Sequence, residues 1–344
     1  MVTRNLIKNI LMALLTLSLL FVVVEIYFSI KFREELKDQF SPLIYMPDTV
    51  TGYRYIPNSE DEISKPGIGR KKVKINSLGF FSPEFTAHKK TGTYRIIIVG
   101  ASAASGIWMN GKENFSVKLQ RLFNNSNKKN IEVINCTLDG QGLGEGLLAT
   151  IKEKLVNFEP DLILMELPIP VSTGSMYRES YKGYLLQYYT DSTRTLGKQA
   201  IDEVESKWFF NFCYDHFYTV RAWCRNYIQE NKSTRQSMLM STYRDKISRT
   251  EMIDLSYYNF NRSVQLMKET NDTVVNRTNG KLVYFSYGAE KNGIGAYLKQ
   301  MGLNTIFLQC KFEDKHLSLP DSHFNESGHA MIADSLYSRL LTFF

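Results

Sequence analysis

Three short stretches put reactive side chains on turns built from small residues. Gly100-Ala101-Ser102-Ala103-Ala104-Ser105-Gly106 follows the apolar run Tyr94 to Val99 and leads into a helical pattern. A serine placed there stands near a helix N-terminus, whose backbone N–H groups stabilise an oxyanion or hold a phosphate. Asp139-Gly140-Gln141-Gly142 follows a second apolar run, and a glycine turn lets another backbone N–H come close to a substrate oxygen. Near the C-terminus, Asp321-Ser322-His323-Phe324-Asn325 precedes the last helical pattern. An aspartate two residues before a histidine in extended chain can orient the imidazole as a general base towards a serine.

Each of these residues also has a plainer use. The serine turn suits a phosphate loop or simple packing, and Ser102 fits the cap of the helix that follows. Asp321 fits a turn, Asn325 the N-cap of the last helix, and His329 a packing or capping role inside that helix's first turn. Metal chemistry has no matching pattern. The five histidines (His88, His216, His316, His323, His329) are scattered and no Cys-x-x-Cys pair occurs, so neither zinc nor another cofactor is expected. Cys136, Cys213, Cys224 and Cys310 are even in number. Eleven residues of helix would put Cys213 and Cys224 about 16 Å apart, beyond the ~4.4–6.8 Å Cα separation of a disulfide, and unpaired buried thiols are expected. The Asn-x-Ser/Thr triplets at Asn135 and Asn325 fall within buried or catalytic blocks and read as chance matches to a glycosylation acceptor.

The elements that must position these residues alternate. Tyr94 to Val99, Ile131 to Asn135, Leu162 to Leu167, Lys281 to Tyr287 and Thr305 to Leu308 read as short, continuously apolar strands. Between them lie amphipathic patterns: Phe115, Leu119, Leu122 and Phe123; Leu147, Leu148, Ile151 and Leu155; residues Ala289 to Met301; and a final stripe of Ile332, Leu336 and Leu340. Strands apolar on both faces, alternating with helices, imply a parallel sheet covered on both sides, and ligands then bind beyond the strand C-termini. The rhythm breaks over residues 171–250, where Tyr177, Tyr181, Tyr184, Tyr188, Tyr189, Trp208, Phe209, Phe210, Phe212, Tyr214, Phe217, Tyr218 and Trp223 crowd together. That segment reads as a helical insertion, either a lid with a substrate groove or a subdomain with its own aromatic core. Residues 39–93, rich in turn residues, read as a linker that settles onto a domain edge.

The N-terminus carries one charge, Glu25, between Lys8 and Lys31, and Ile10 to Val24 is almost unbroken apolar sequence. Such a helix is about long enough to cross a ~30 Å hydrocarbon core. A cleaved signal peptide is the competing reading, but Leu19 to Val24 offers no small-x-small site and Tyr27 and Phe28 continue as interfacial aromatics. Residues 1–38 are therefore expected to be an uncleaved anchor. Arg4 and Lys8 favour an inside N-terminus, which leaves the remainder outside the cytoplasm. Over 344 residues, 42 Lys plus Arg against 35 Asp plus Glu give a net charge of +7. This is mild, and no basic block interleaved with aromatics supports nucleic-acid binding.

Taken in order, Arg95-Ile-Ile-Ile-Val-Gly-Ala-Ser102, Val133-Ile-Asn-Cys-Thr-Leu-Asp-Gly140, Pro160-Asp-Leu-Ile-Leu and Pro320-Asp321-Ser-His323-Phe-Asn325-Glu-Ser-Gly328-His329 resemble the sequence blocks of the SGNH/GDSL hydrolases. Upstream, Gly52-Tyr-Arg and Ile75-Asn-Ser-Leu-Gly-Phe80 resemble the lead-in of bacterial membrane-anchored members. The resemblance covers roughly Gly52 to Pro170 and Gly280 to Phe344, and it implies an α/β chain with a three-layer α/β/α, flavodoxin-like parallel sheet over 94–170 and 251–344. It also implies Ser102 as nucleophile, His323 as base, Asp321 as orienting acid, and an oxyanion hole of the Ser102 and Gly140 N–H groups. The family's Asp before the nucleophile is Ala101 here. Its oxyanion-hole Asn, due near Pro170, is absent from Glu166-Leu-Pro-Ile-Pro-Val171, where Ser172 and Thr173 are the nearest hydroxyl donors. The Asp-x-His spacing is also one residue tighter than the Asp-x-x-His of many members.

Three functions fit this resemblance. The first is a membrane-anchored serine esterase acting on an ester-bearing substrate such as an acylated glycan or lipid. The second is an O-acyltransferase or deacetylase working on cell-surface polysaccharide, and the third an inactive module that binds glycan or partner proteins.

Overall fold

The structure, a computed structural model, describes residues 2–31, 43–65, 68–126, 130–139, 144–167, 177–188, 190–222, 260–291, 293–318 and 322–343. The chain forms two compact units, Met1–Phe40 with Lys198–Lys246, and Ser41–Gly197 with Ile247–Phe344.

In chain order the elements are α1 (Val2–Lys31), β1 (Tyr45–Asp48), β2 (Gly52–Tyr55), β3 (Glu60–Lys65), β4 (Gly69–Lys74), β5 (Tyr94–Val99), α2 (Ser102–Ser105), α3 (Phe115–Asn125) and β6 (Ile131–Asn135). Then come α4 (Glu145–Glu153), β7 (Leu162–Glu166), β8 (Tyr177–Tyr181), β9 (Tyr184–Tyr188), α5 (Asp191–Ser206) and α6 (Trp208–His216). The chain ends with α7 (Phe260–Thr278), β10 (Lys281–Ser286), α8 (Ile294–Gln300), β11 (Asn304–Phe307), β12 (Leu317–Ser318), β13 (His323–Phe324) and α9 (Glu326–Leu340).

Five strands form the central sheet in the order β11-β10-β7-β5-β6, and every pairing is parallel. Counted along the chain this is the 2-1-3-4-5 order of flavodoxin-like folds, with the switch of direction between β5 and β7. Alternate residues of the strands feed two cores. Ile96, Ile98, Leu162, Leu164 and Phe285 pack with Phe115 and Leu119 of α3 and Ile332, Leu336 and Leu340 of α9. Ile97, Val99, Ile163, Met165 and Tyr284 pack with Leu147 and Ile151 of α4 and Met267 and Val274 of α7. Each such side chain contributes about 1.5–3 kcal/mol by leaving water. The result is the three-layer α/β/α architecture that the strand rhythm implies.

Two segments depart from the sequence reading. Residues 39–93 are more than a linker on an edge: β1–β2 and β3–β4 are antiparallel hairpins whose Ile44, Tyr45, Tyr53, Tyr55, Ile63 and Val73 are buried in the α4-side core. Strands of four to six residues are too short for their alternation to stand out among the turn residues. Within 171–250, residues 177–188 are a hairpin and not helix, with Tyr177 opposite Tyr188 and Tyr181 opposite Tyr184. The spacing that mimics helical periodicity is cross-strand pairing about a tight turn. Lys182 and Gly183 both have positive φ, 48° and 81°, the requirement of a two-residue type I′ turn. Residues 191–206 and 208–216 are helical.

In the other unit, α1 is long and apolar enough over Asn5–Lys31 to cross a membrane, with a mean hydropathy of 2.5. Two of its hydroxyls bond within the helix, Thr16 donating to the Met12 carbonyl and Ser18 to that of Leu14. Cys136, Cys213 and Cys310 are free thiols, the first buried and the others half-buried; Cys224 lies outside the described residues.

Candidate active site

Ser102 opens α2 directly after β5, at the C-terminal edge of the sheet and beside the switch point. Ala101 precedes it in extended conformation, and Gly106 ends the helix at φ 61°. This glycine has two reasons to be one. The left-handed turn favours it, and a Cβ would lie 2.5 Å from the Asn114 amide nitrogen and 3.0 Å from the His329 ring. So short a helix is held from outside. Asn114 Nδ2 donates to the carbonyls of Ala104, at 3.3 Å, and Ser105, at 2.6 Å, and Asn135 Nδ2 donates to that of Ser105 at 3.4 Å. As the first residue of a helix, Ser102 has no intrahelical acceptor for its N–H.

Beneath the turn lies a residue the sequence reading passed over. Glu166, the last residue of β7, accepts a hydrogen bond from the Ala101 N–H through Oε2 at 3.0 Å. Gly100 is the neighbour that makes room for it, since a Cβ there would stand 2.8 Å from the same oxygen. Burial raises the Glu166 carboxyl to about 7, against the hydrogen bond from Ala101. The buried Tyr287 hydroxyl lies beside it without completing a well-directed hydrogen bond.

His323 is carried by a miniature hairpin in which Ser318 faces His323 and Leu317 faces Phe324. The strand bearing it packs close to α2, so Ser102 and His323 come to the same end of the sheet. Among the described residues no hydrogen bond joins the Ser102 hydroxyl to the His323 ring. The indole of Trp108 lies against the imidazole, with ring centroids 5.5 Å apart at 42°. Asp321 and Gly140 lie outside the described residues, as do Ser172 and Thr173.

The other expected roles resolve cleanly. Asn325 caps α9, its Oδ1 accepting from the N–H groups of Ser327 and Gly328. His329 is buried and accepts the Phe115 N–H on Nδ1 at 3.1 Å, capping α3 while stacked on the Phe115 ring. Burial, with Lys118 and His323 nearby, lowers its pKa to about 3, so the ring is neutral. Asn135 is buried, accepting from Thr137 N–H and Oγ1. Among the described residues no cluster of His, Cys, Asp and Glu could hold a metal ion.

Asp139, one residue before Gly140, is gripped from several sides. Tyr45 Oη donates to its Oδ2 at 3.0 Å, Tyr53 Oη to its carbonyl at 2.6 Å, and its own N–H donates to Tyr55 Oη at 2.8 Å. Arg178 of β8 adds a longer bond to the same carbonyl at 3.3 Å and lies over the Tyr45 and Tyr53 rings. The hairpins thus set the residue leading into the glycine turn. A separate cavity of about 290 Å³, lined by Tyr53, Tyr55, Phe80, Leu138, Leu147 and Phe158 among others, includes neither Ser102 nor His323.

No protein-family model matches the chain, and no curated protein matches it. Solved structures similar to it include TesA, with 10% identity and a TM-score of 0.35 over 73% of this chain and 99% of that one. The psychrotrophic esterase EstA from Pseudoalteromonas sp. has 12% identity and a TM-score of 0.35 over 72% of this chain and 97% of that one. A two-domain esterase, CEX, active on acetylated mannans, has 11% identity and a TM-score of 0.37; the similarity covers 73% of this chain and about half, 49%, of that one. These likenesses are distant, and the chemistry has to come from this chain's own residues.

Proposed function

We propose that the chain is a serine ester hydrolase of the SGNH/GDSL type, with Ser102 as nucleophile, His323 as general base and Asp321 as the acid that orients it. What supports this reading is that Ser102 opens α2 after β5 and that α2 lies close to β13, the short strand that includes His323. In this mechanism Ser102 Oγ attacks the ester carbonyl carbon while His323 takes the hydroxyl proton. The oxyanion is received by the N–H groups of Ser102 and Gly140. Collapse breaks the bond to the alcohol, which leaves with the proton from His323, and water then repeats the sequence on the acyl-enzyme. With no Asn in the sequence near Pro170 to add a donor, the rate is expected to be about 10²- to 10³-fold below that of a site with the full set of donors.

In the same reading α1 is a membrane anchor with Arg4 and Lys8 on the inside, and the ester substrate is met outside the cytoplasm. The test is hydrolysis of a panel of p-nitrophenyl esters by the full chain in detergent. Turnover that vanishes in Ser102→Ala supports the proposal, and equal turnover in that variant removes it. A folded wild-type chain inert on every ester would favour the binding module.

A further inference from the structure

Glu166 and Tyr287 end two neighbouring strands on the same face of the sheet. β7 and β10 pair in parallel with Phe285 opposite Glu166, and every second side chain of a strand shares a face. Leu162 and Leu164 lead to Glu166 along β7, and Val283 and Phe285 lead to Tyr287, just past β10. Leu162, Leu164, Val283 and Phe285 all belong to the core under α3 and α9, with Tyr287 packed against it. The two apolar columns thus stop in two polar groups, a carboxyl and a phenol, at the end of the sheet that carries Ser102 and His323.

Each polar residue reaches one half of the proposed pair. Glu166 Oε2 accepts from the Ala101 N–H at 3.0 Å, one residue before Ser102. The Tyr287 ring meets the Phe324 ring edge-on at a centroid distance of 5.0 Å, one residue after His323. Phe324 is seated from two more sides, by the Phe312 ring at 4.4 Å and the His329 ring at 6.2 Å. Between the two halves the Tyr287 hydroxyl is buried beside the Glu166 carboxyl, and among the described residues it has no hydrogen-bond partner elsewhere. Burial raises that hydroxyl well above its ordinary value and Glu166 adds to the effect, so it keeps its proton and stands as a donor towards the carboxyl. The other titratable group near it, Cys310, gives its own hydrogen to Ser335 Oγ at 3.4 Å.

We infer that Glu166 and Tyr287 act together as a strut that fixes the nucleophile turn relative to the strand of the base, Glu166 holding the Ala101 end and Tyr287 the Phe324 end. The inference rests on the reading of Ser102 and His323 as nucleophile and base. Both residues are positioning residues, acting through Ala101 and Phe324. A proton passes from serine to histidine only at hydrogen-bond distance, and a misplacement of about 1 Å can cost about 10²-fold in rate.

The test is hydrolysis of p-nitrophenyl esters by the full chain in detergent, at a temperature well below each variant's thermal midpoint. Glu166→Leu removes the acceptor and should lower kcat about 10²-fold while KM stays within about threefold. Glu166→Gln keeps an acceptor oxygen for Ala101 and should stay within about threefold of the wild-type kcat. Tyr287→Phe keeps the ring on Phe324 but cuts the link to Glu166. It should lower kcat about 10-fold alone and less than about twofold in the Glu166→Leu background, because one strut is lost only once. Losses that multiply in the double variant, a Glu166→Gln chain as slow as Glu166→Leu, or a wild-type kcat in Glu166→Leu or Tyr287→Phe each overturn the strut. Should Glu166→Leu not fold, Tyr287→Phe, which removes a single oxygen, decides alone. Ser102→Ala separates the two levels. Hydrolysis that survives in Ser102→Ala, or a wild-type chain inert on every ester, removes the hydrolase reading and this inference together; hydrolysis lost in Ser102→Ala but unchanged in the strut variants overturns the strut alone.

Discussion

The Glu166 carboxyl accepts a hydrogen bond from the Ala101 N–H at 3.0 Å, one residue before the proposed nucleophile. A buried acid therefore ties the end of β7 to the turn after β5, across the switch point where the site is built. Its proton has thermodynamic consequences. The folded value lies near 7 against an ordinary 4.5, so the folded chain holds a proton that the unfolded chain has released. Stability from this group is complete below about pH 4.5 and is lost as the pH rises through 7, about 3 kcal/mol in all. Glu166→Gln should flatten that slope, measured as the difference in thermal midpoint between variant and wild type from pH 5 to pH 8. Parallel pH dependences in the two proteins would contradict it.

His329 should act in the opposite direction. Its folded pKa of about 3 lies below the ordinary 6.5, so the unfolded chain binds the extra proton. This contribution is present above pH 6.5 and is lost as the pH falls towards 3, about 3 kcal/mol of it by pH 4. His329→Gln stays neutral throughout. Denaturant unfolding of wild type and variant at pH 7 and pH 4 should show the variant losing less on acidification.

Gly100→Ala is expected to disturb the nucleophile turn directly. The new Cβ would lie 2.7 Å from Ala104 Cβ and 2.8 Å from Glu166 Oε2, and overpacking of this kind costs about 1–3 kcal/mol. A displacement of Ser102 should also slow ester turnover by about 10²-fold. A variant with wild-type turnover would show that the turn tolerates the shift.

Much of the fold was legible because the strands of a covered parallel sheet are continuous apolar runs, and β5, β6, β7, β10 and β11 all stand within a residue or so of where those runs lie. Ser102 follows β5 directly, whereas His323 lies within the two-residue strand β13, ahead of α9. What stayed hidden depends on distant pairs. Tyr45 reaches Asp139 across 94 positions and Glu166 reaches Ala101 across 65, and no local pattern marks either end. The tyrosines of 177–188 were misleading for a related reason, since cross-strand partners about a two-residue turn fall at near-helical spacing.

The Asp139 contacts give a fourth prediction. Tyr55→Phe would leave the buried Asp139 N–H without its acceptor, at a cost of about 1–3 kcal/mol. With Asp139 loosened next to Gly140, kcat for ester hydrolysis should fall while KM changes little. A rise in KM at constant kcat would place the role of Tyr55 in substrate binding.

The most direct measurement of the central claim is covalent labelling of the full chain by a fluorophosphonate, read by intact mass for wild type, Ser102→Ala and His323→Ala. An activated serine predicts one adduct in wild type, none in Ser102→Ala and a collapse of the labelling rate in His323→Ala. A folded wild-type chain that takes no label, or a Ser102→Ala chain that takes it equally well, would contradict the account.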